Sequence, residues 1–218
     1  MNSLTQCIAK AGYSDKTLTD KQLARLVGGS AQRRYGLVNR ALKAGELVRI
    51  QRGVYALADD FRQNSLHPFY IANTLHSGSY VSMESALAYY GWIPEAVYVT
   101  TNVIRGRRSK EINHERFGQI IFTPLAINRY SFLELVERVQ LNDQTILMAK
   151  PIRALMDLVY ERKLDWQGLD WFEQSLRIDN ENLSSVSAGD MTTLKTIYKH
   201  KRMQQFLVQF EQALEIGS

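Results

Sequence analysis

"LVRIQRGVYAL", residues 47–57, decides how the chain is read. Two short apolar runs, residues 47–50 and 54–57, flank Gln51, Arg52 and Gly53. Both runs favour extended backbone, and a short polar stretch with a glycine between them predicts a β-hairpin. Gly53 can supply the positive φ of a tight turn. Val48, Ile50, Val54 and Ala56 are available to anchor the two strands. Arg52 stands at the tip and Arg49 lies three residues before it. The hairpin is therefore either a solvated edge or a finger that touches something acidic.

Three helices are predicted ahead of it. The first runs from about Ser3 to Ala11 and is closed by Gly12. Cys7, spaced with Leu4, Ile8 and Ala11, falls on its apolar face as a buried structural thiol. The second opens with Thr19-Asp20-Lys21-Gln22, a capping box in which the Thr19 and Gln22 side chains satisfy each other's free backbone N–H groups. Leu23, Leu26 and Val27 face inward, and Gly28-Gly29 ends the helix. Ser30 caps the third helix, which runs to about Ala44. Ala31, Tyr35, Val38 and Leu42 form a stripe expected to pack on the first two helices. Gln32, Arg33, Gly36, Asn39, Arg40 and Lys43 occupy the opposite face. A glycine on that face costs roughly 1 kcal/mol relative to alanine, and it leaves backbone bare where another surface can approach.

Charge is unevenly divided. Residues 1–60 hold ten lysines and arginines against five acids, whereas the remaining 158 hold seventeen of each. All the net charge of +5 thus lies in the first quarter of the chain, which points to a polyanionic partner for that segment. Helix, helix, basic helix and hairpin is the order of a winged helix-turn-helix. In that arrangement the first turn of the third helix meets base edges, and the hairpin reaches phosphate or the minor groove. Arginine and glutamine pair bidentately with guanine and adenine edges respectively. The expected contacts to double-stranded DNA are Ser30, Gln32, Arg33, Arg34, Asn39, Arg40, Lys43, Arg49, Gln51 and Arg52. A solvated surface explains any one of these charges but not the agreement of element order, charge asymmetry and exposed-face chemistry.

The whole chain has an ordinary globular composition, with 45% hydrophobic and 22% charged residues. No run approaches the roughly 18 apolar residues needed to cross a bilayer. MNSLTQCIAKAGYS lacks a basic segment followed by an apolar one, so no signal peptide is expected. A single cysteine makes no internal disulfide. His67, His76, His114 and His200 are far apart, without a cysteine at zinc spacing. The expectation is a cytoplasmic, reduced protein with no metal and no cofactor.

Residues 59–66 read as a polar connection, giving a winged-helix domain over 1–60 and a second domain over 61–218. The second domain is predicted as α+β, a small mixed sheet with a helical tail. A helix starts at His67-Pro68, and "YVSMESALAYYGW" reads as a strand, a Ser82 cap and a helix closed by Gly91. "EAVYVTT" (residues 95–101) and "RFGQIIFTPL" read as strands, and "VERVQLNDQTILMAK" as two strands around Asn142-Asp143. "PIRALMDLVYERK" reads as a helix with Pro151 at its first position. "WQGLDWFEQSL" and one long C-terminal stretch, "GDMTTLKTIYKHKRMQQFLVQFEQAL", complete the helices. No G-x-S-x-G elbow, phosphate loop or H-E-x-x-H is present. The Pro-Asp and Glu-x-Lys pattern of a restriction-type nuclease is also missing, so the expectation is not an enzyme. "RGRRSK" is expected as a loop, with Arg105, Arg107, Arg108 and Lys110 either solvated or a second contact to nucleic acid or an acidic partner.

With these segments in place, the chain resembles the AbiEi antitoxins of bacterial AbiE-type abortive-infection pairs. The resemblance rests on "LVRIQRGVYAL", "HPFYIANTLHSGSYVSMESALAYYGWIPEAVYVTT" and "KPIRALMDLVYER" in this order, from about Leu4 to Arg162. It implies a winged-helix repressor of its own operon, bound to inverted repeats upstream, with a monomer on each half-site and a dimer both open. It further implies a C-terminal domain that counteracts a nucleotidyltransferase-type toxin from the adjacent gene, without a stable complex being required. Ser82, Ala86, Gly91, Pro151 and Asp157 match as pattern positions only; Asp157 is either a buried hydrogen-bonding partner or part of an antitoxin surface. The alternative function is a ligand-sensing winged-helix regulator without a toxin, with Tyr89, Tyr90, Trp92 and Tyr98 lining a pocket.

Overall fold

The computed structural model describes residues 4–215. They divide into two units, one holding the chain up to Leu75 together with Gln140–Thr145, the other holding His76–Val139 and the chain from Ile146 onward. The protein is mixed α+β, and no helix among the described residues is long and apolar enough to cross a membrane.

The first unit contains α1 (Leu4–Lys10), β1 (Leu18–Thr19), α2 (Asp20–Val27), α3 (Ala31–Lys43), β2 (Leu47–Gln51), β3 (Val54–Leu57) and α4 (Pro68–Leu75). The Thr19–Gln22 capping box forms as expected at the start of α2. Gly28 and Gly29, both at positive φ, end it. The hairpin is real, and it gains a third strand, because Leu18 and Thr19 pair with Tyr55 and Val54 in the order β1-β3-β2. Leu4, Ile8, Leu18, Leu23, Ala41, Leu47, Tyr55 and Leu57 form the core beneath it. Cys7 is half-buried rather than buried, since Leu4, Thr5 and Ile8 carry the inward face of α1.

The polar connection after β3 is fastened rather than free. The Asp15 carboxylate accepts from the Gln63 and Asn64 N–H groups. The Gln144 amide donates to the Ser65 carbonyl and accepts from the His67 N–H. The Tyr70 hydroxyl of α4 bonds to Thr17, so α4 is held against the segment leading into β1.

The second unit is built on a six-stranded sheet that includes β4 (Tyr80–Val81), β5 (Val99–Ile104), β6 (Lys110–His114) and β7 (Gly118–Pro124). It is completed by β8 (Val136–Leu141) and β9 (Gln144–Ala149), and its order is β6-β7-β5-β4-β9-β8. Its helices are α5 (Met83–Tyr89), α6 (Pro151–Glu161), α7 (Asp170–Leu176), α8 (Asn180–Ser184), α9 (Ala188–Ile197) and α10 (Lys201–Ala213). β4 with β9 and β5 with β7 run parallel, whereas β4 with β5 and β6 with β7 run antiparallel.

A buried polar cluster sits at its centre. Asp157 and Arg153, one turn apart on α6, are both fully buried. Asp157 accepts from the Tyr80 hydroxyl at 3.0 Å, the Ser82 hydroxyl at 2.8 Å, the Tyr198 hydroxyl at 2.6 Å and Arg153 Nε at 3.0 Å. Arg153 directs its other N–H groups to the Tyr80 hydroxyl and the Glu134 carbonyl. Burial, and with it the Asp157 carboxylate, pushes the Tyr80 and Tyr198 hydroxyls well above their ordinary range, so both remain donors. Burial alone would loosen the Arg153 proton, but Asp157 and the two tyrosines more than offset it.

This cluster explains three departures from the sequence expectations. Ser82 precedes α5 but does not cap it, because its hydroxyl is turned to Asp157. The single long C-terminal helix is two, since Tyr198 leaves helical geometry to reach Asp157 and His200 caps the restart. Asp157 is the buried partner, not a surface residue. The strand expected over residues 95–101 lies instead at Val99–Ile104, where β7 and β4 supply its pairing. The four aromatics offered as a pocket serve different ends. Trp92 is buried, Tyr90 donates to Glu137, Tyr89 stacks edge-on against Tyr90, and Tyr98 is 89% exposed.

Asp157→Ala would leave the Arg153 charge buried without its counter-ion, a loss of about 3–5 kcal/mol in denaturant unfolding. A loss below about 1 kcal/mol would remove the cluster from the supports of this fold.

Candidate nucleic-acid interface

The first turn of α3 follows directly from the loop chemistry. Ser30 adopts extended backbone and its hydroxyl accepts from the Arg33 N–H, so the helix begins at Ala31. Gln32, Arg33, Arg40 and Lys43 are exposed and Asn39 half-buried. The Arg33 side chain lies against Gly29, where a Cβ would stand 3.1 Å from its Nη1. Gly36 has open space where a Cβ would point. No packing inside the unit accounts for this glycine.

Three α3 assignments change. Arg34 turns back and donates to the Gly29 carbonyl, which takes it off the outer face and makes it a brace for the α2–α3 loop. Tyr35 does not pack on α1 and α2. It is 72% exposed, and Ala41 with half-buried Val38 and Leu42 makes the inward contact instead. Ala31 is exposed as well. Tyr35 borders a cleft of about 260 Å³ whose walls also include Asp20, Leu23, Asn39, Arg49 and Tyr55. The stripe at helical spacing ran one turn too far, onto the rim of a cleft that no side chain of the unit fills.

The hairpin is positioned by α2. The Asp20 N–H donates to the Gly53 carbonyl at 2.9 Å. A Cβ on Gly53 would stand 2.9 Å from Asp20 Oδ2, and its φ is +77°. Glycine is therefore favoured at the tip by its conformation, and a larger residue would also have to push the Asp20 carboxylate aside. Arg49 and Arg52 are exposed, Gln51 is half-buried, and a bulge falls between Arg49 and Gln51. The Arg49 guanidinium lies 5.8 Å from the Tyr55 ring centroid. Burial first, then the Asp20 carboxylate, raises the Tyr55 hydroxyl, and Arg49 partly opposes the shift. Gln32, Arg33, Arg40, Lys43, Arg49 and Arg52 are thus all exposed, and Arg49 meets α3 at the cleft it shares with Tyr35 and Asn39. Sequence reasoning missed Tyr35 and Asp20 at this cleft, because one looked like core and the other like a helix-cap residue.

Arg105, Arg107 and Arg108 occupy the connection from β5 into β6, whereas Lys110, expected in the same loop, is the first residue of β6 because it pairs with Phe122; all four are exposed. Arg105 lies over the Phe132 ring at 4.7 Å from its centroid.

Residues 3–58 match the family model described as transcriptional regulator, AbiEi antitoxin. The matched stretch is the three helices and the hairpin that carry the basic face. No curated protein matches the chain.

Gly36→Ala should raise thermal stability by roughly 0.5–1 kcal/mol, since a half-buried helical glycine with open space at its Cβ position is replaced by the best helix former. It should at the same time weaken binding to duplex DNA, measured by gel shift. A variant that gains stability and keeps full affinity would show that nothing approaches this backbone.

Proposed function

On the premise of an N-terminal AbiEi antitoxin module, we propose that this chain is a DNA-binding autorepressor and antitoxin of an abortive-infection pair. Residues 1–60 act as a winged helix-turn-helix. The observation that carries the reading is that the family match ends at residue 58, just past the hairpin, and so covers the part of the chain that holds its excess of positive charge. Gln32 and Arg33 at the start of α3 meet base edges in the major groove of double-stranded DNA. Asn39, Arg40 and Lys43 continue the contact along the helix. Arg49, Gln51 and Arg52 on the hairpin hold phosphate or the adjacent minor groove. Ser30 and Arg34 set the entry of the helix rather than reading sequence.

The DNA is an inverted repeat upstream of the protein's own operon, and a dimer on the two half-sites fits its symmetry. The second domain, residues 61–218, counteracts a nucleotidyltransferase-type toxin encoded by the neighbouring gene in a reducing cytoplasm. A stable complex between the two proteins is not required for this role. The absence of nucleophile, phosphate-loop and metalloprotease motifs supports a regulator rather than an enzyme.

Gel shifts on the protein's upstream DNA test the first half. Affinity should fall steeply with salt as phosphate contacts release counterions. Arg33→Ala should weaken specific binding by about 1–3 kcal/mol, and Arg52→Ala should weaken binding evenly across sequences. Unchanged affinity in Arg52→Ala would take the hairpin off the contact surface. Co-expression tests the second half: the chain should rescue growth from the nucleotidyltransferase of the adjacent gene, and failure to rescue would end the antitoxin reading.

A further inference from the structure

The connection that follows β5 stands on a fixed base. Phe132, under the Arg105 guanidinium, is 4% exposed and meets Tyr80 edge-on at 5.2 Å between centroids. Tyr80 is in turn bonded to Asp157 and Arg153. The basic loop is thereby joined at its root to the buried cluster of its unit. The same contact brings the loop beside the short helical turn Arg129–Ser131, which precedes Phe132.

That turn is also held. The Asn128 N–H donates to the Ile197 carbonyl at 2.9 Å, its side-chain amide donates to the Thr196 carbonyl at 3.3 Å, and its side-chain oxygen accepts from the Tyr130 N–H. Tyr130 is nevertheless 90% exposed, and Arg129 beside it is exposed too. Among the described residues, Arg105, Arg107, Arg108, Lys110 and Arg129 form none of the ion pairs found. The neighbouring Glu111 carboxylate is engaged by Asn113 and Gln119, while the Glu134 side chain is exposed.

From this we infer that Arg105, Arg107, Arg108, Lys110, Arg129 and Tyr130 form a binding site for an unpaired nucleic-acid strand, separate from the duplex-binding face of α3 and the hairpin. The chemistry follows from the parts. Guanidinium forks hold phosphate oxygens in pairs. An uncovered ring on a fixed turn is a stacking platform for a base, whose π-face is open only in a single strand. The loop, the first residue of the edge strand β6 and a single helical turn offer no helix for the major groove of a duplex, and β6 with β7 belongs to a wider sheet rather than to a free two-stranded ribbon. An acidic protein could also meet the cations and the ring, and competition by polyglutamate separates that partner from a nucleic-acid strand.

The test is fluorescence anisotropy of the full chain with a labelled single-stranded RNA of mixed sequence, about 15 nucleotides long to fill one site. Binding should persist in the Arg33→Ala/Arg52→Ala double variant, which separates it from the duplex face. Arg107→Ala/Arg108→Ala/Lys110→Ala should lower affinity about tenfold or more and flatten the log–log salt dependence by about 2. Its affinity for the upstream duplex should stay unchanged. Tyr130→Ala should weaken the strand about tenfold, and Tyr130→Phe, which keeps the ring, should restore it. No binding by the unaltered chain, or full binding by the triple variant, would overturn the inference. So would equal loss in Tyr130→Phe and Tyr130→Ala, or displacement of the strand by polyglutamate as readily as by unlabelled RNA. Loss of duplex binding with the strand still bound would count against the operator reading alone.

Discussion

The pairing of Leu18 and Thr19 with Tyr55 and Val54, closed by the Asp20 N–H on the Gly53 carbonyl, is the constraint on which the N-terminal unit depends. An isolated two-stranded hairpin is marginal in water. Here the third strand is the lead-in to α2, whose capping box begins at the second paired residue. Strand, cap and hairpin tip are therefore one continuous structure, and the tip cannot turn without unpairing the start of the helix. Gly53 makes the arrangement feasible, since its φ of +77° is one that residues with a Cβ rarely adopt. Arg49 and Arg52 thus project from a hairpin that is braced, not loose. This matters for recognition, because cations held in place lose less side-chain and loop entropy on binding.

The second unit solves a different problem by a different route. Its central helix, α6, is buried from Ile152 through Val159, including an arginine and an aspartate that no apolar contact could satisfy. The Asp157 carboxylate takes hydrogen bonds from β4, from the residue ahead of α5, from α6 itself and from the break between α9 and α10. Four parts of the chain must arrive for the charge to be met. Such a cluster specifies one arrangement more than it adds net stability, because desolvating both charges costs much of what their pairing returns. It also gives Phe132, and through it Arg105, a rigid backing.

The elements set by local chemistry were legible in the sequence. The Thr19 box, the Ser30 cap, the paired glycines after α2, Pro151 at the head of α6 and the turn at Asn142-Asp143 each carry their signal within a few residues. What escaped was set by distant partners. β5 lies where β4 and β7 pair with it, starting four residues after the stretch of highest strand propensity begins. The C-terminal helix breaks because Tyr198 is needed elsewhere, which no local pattern reveals. On the candidate interface, the exposed cations of α3 and the hairpin were readable from helical spacing and charge. Tyr35 and Arg34 were not. Spacing alone does not tell where the supporting helices stop, nor that an arginine will turn back to a loop carbonyl. The second unit's antitoxin role is carried only by resemblance, since its buried aromatic and polar residues, Tyr80, Asn102, Arg153, Asp157 and Tyr198 among them, serve its own packing.

The central claim is that α3 and the hairpin of the first unit contact duplex DNA together. Site-directed photocrosslinking tests it most directly, with a photoreactive side chain placed in turn at Gln32, at Arg52 and, as a control, at the exposed Gln205 of α10, in the full chain bound to its own upstream duplex. Crosslinks from positions 32 and 52 to adjoining nucleotides of the same half-site, with none from position 205, are the predicted result. Crosslinking absent from both 32 and 52 while the duplex remains bound would contradict the account.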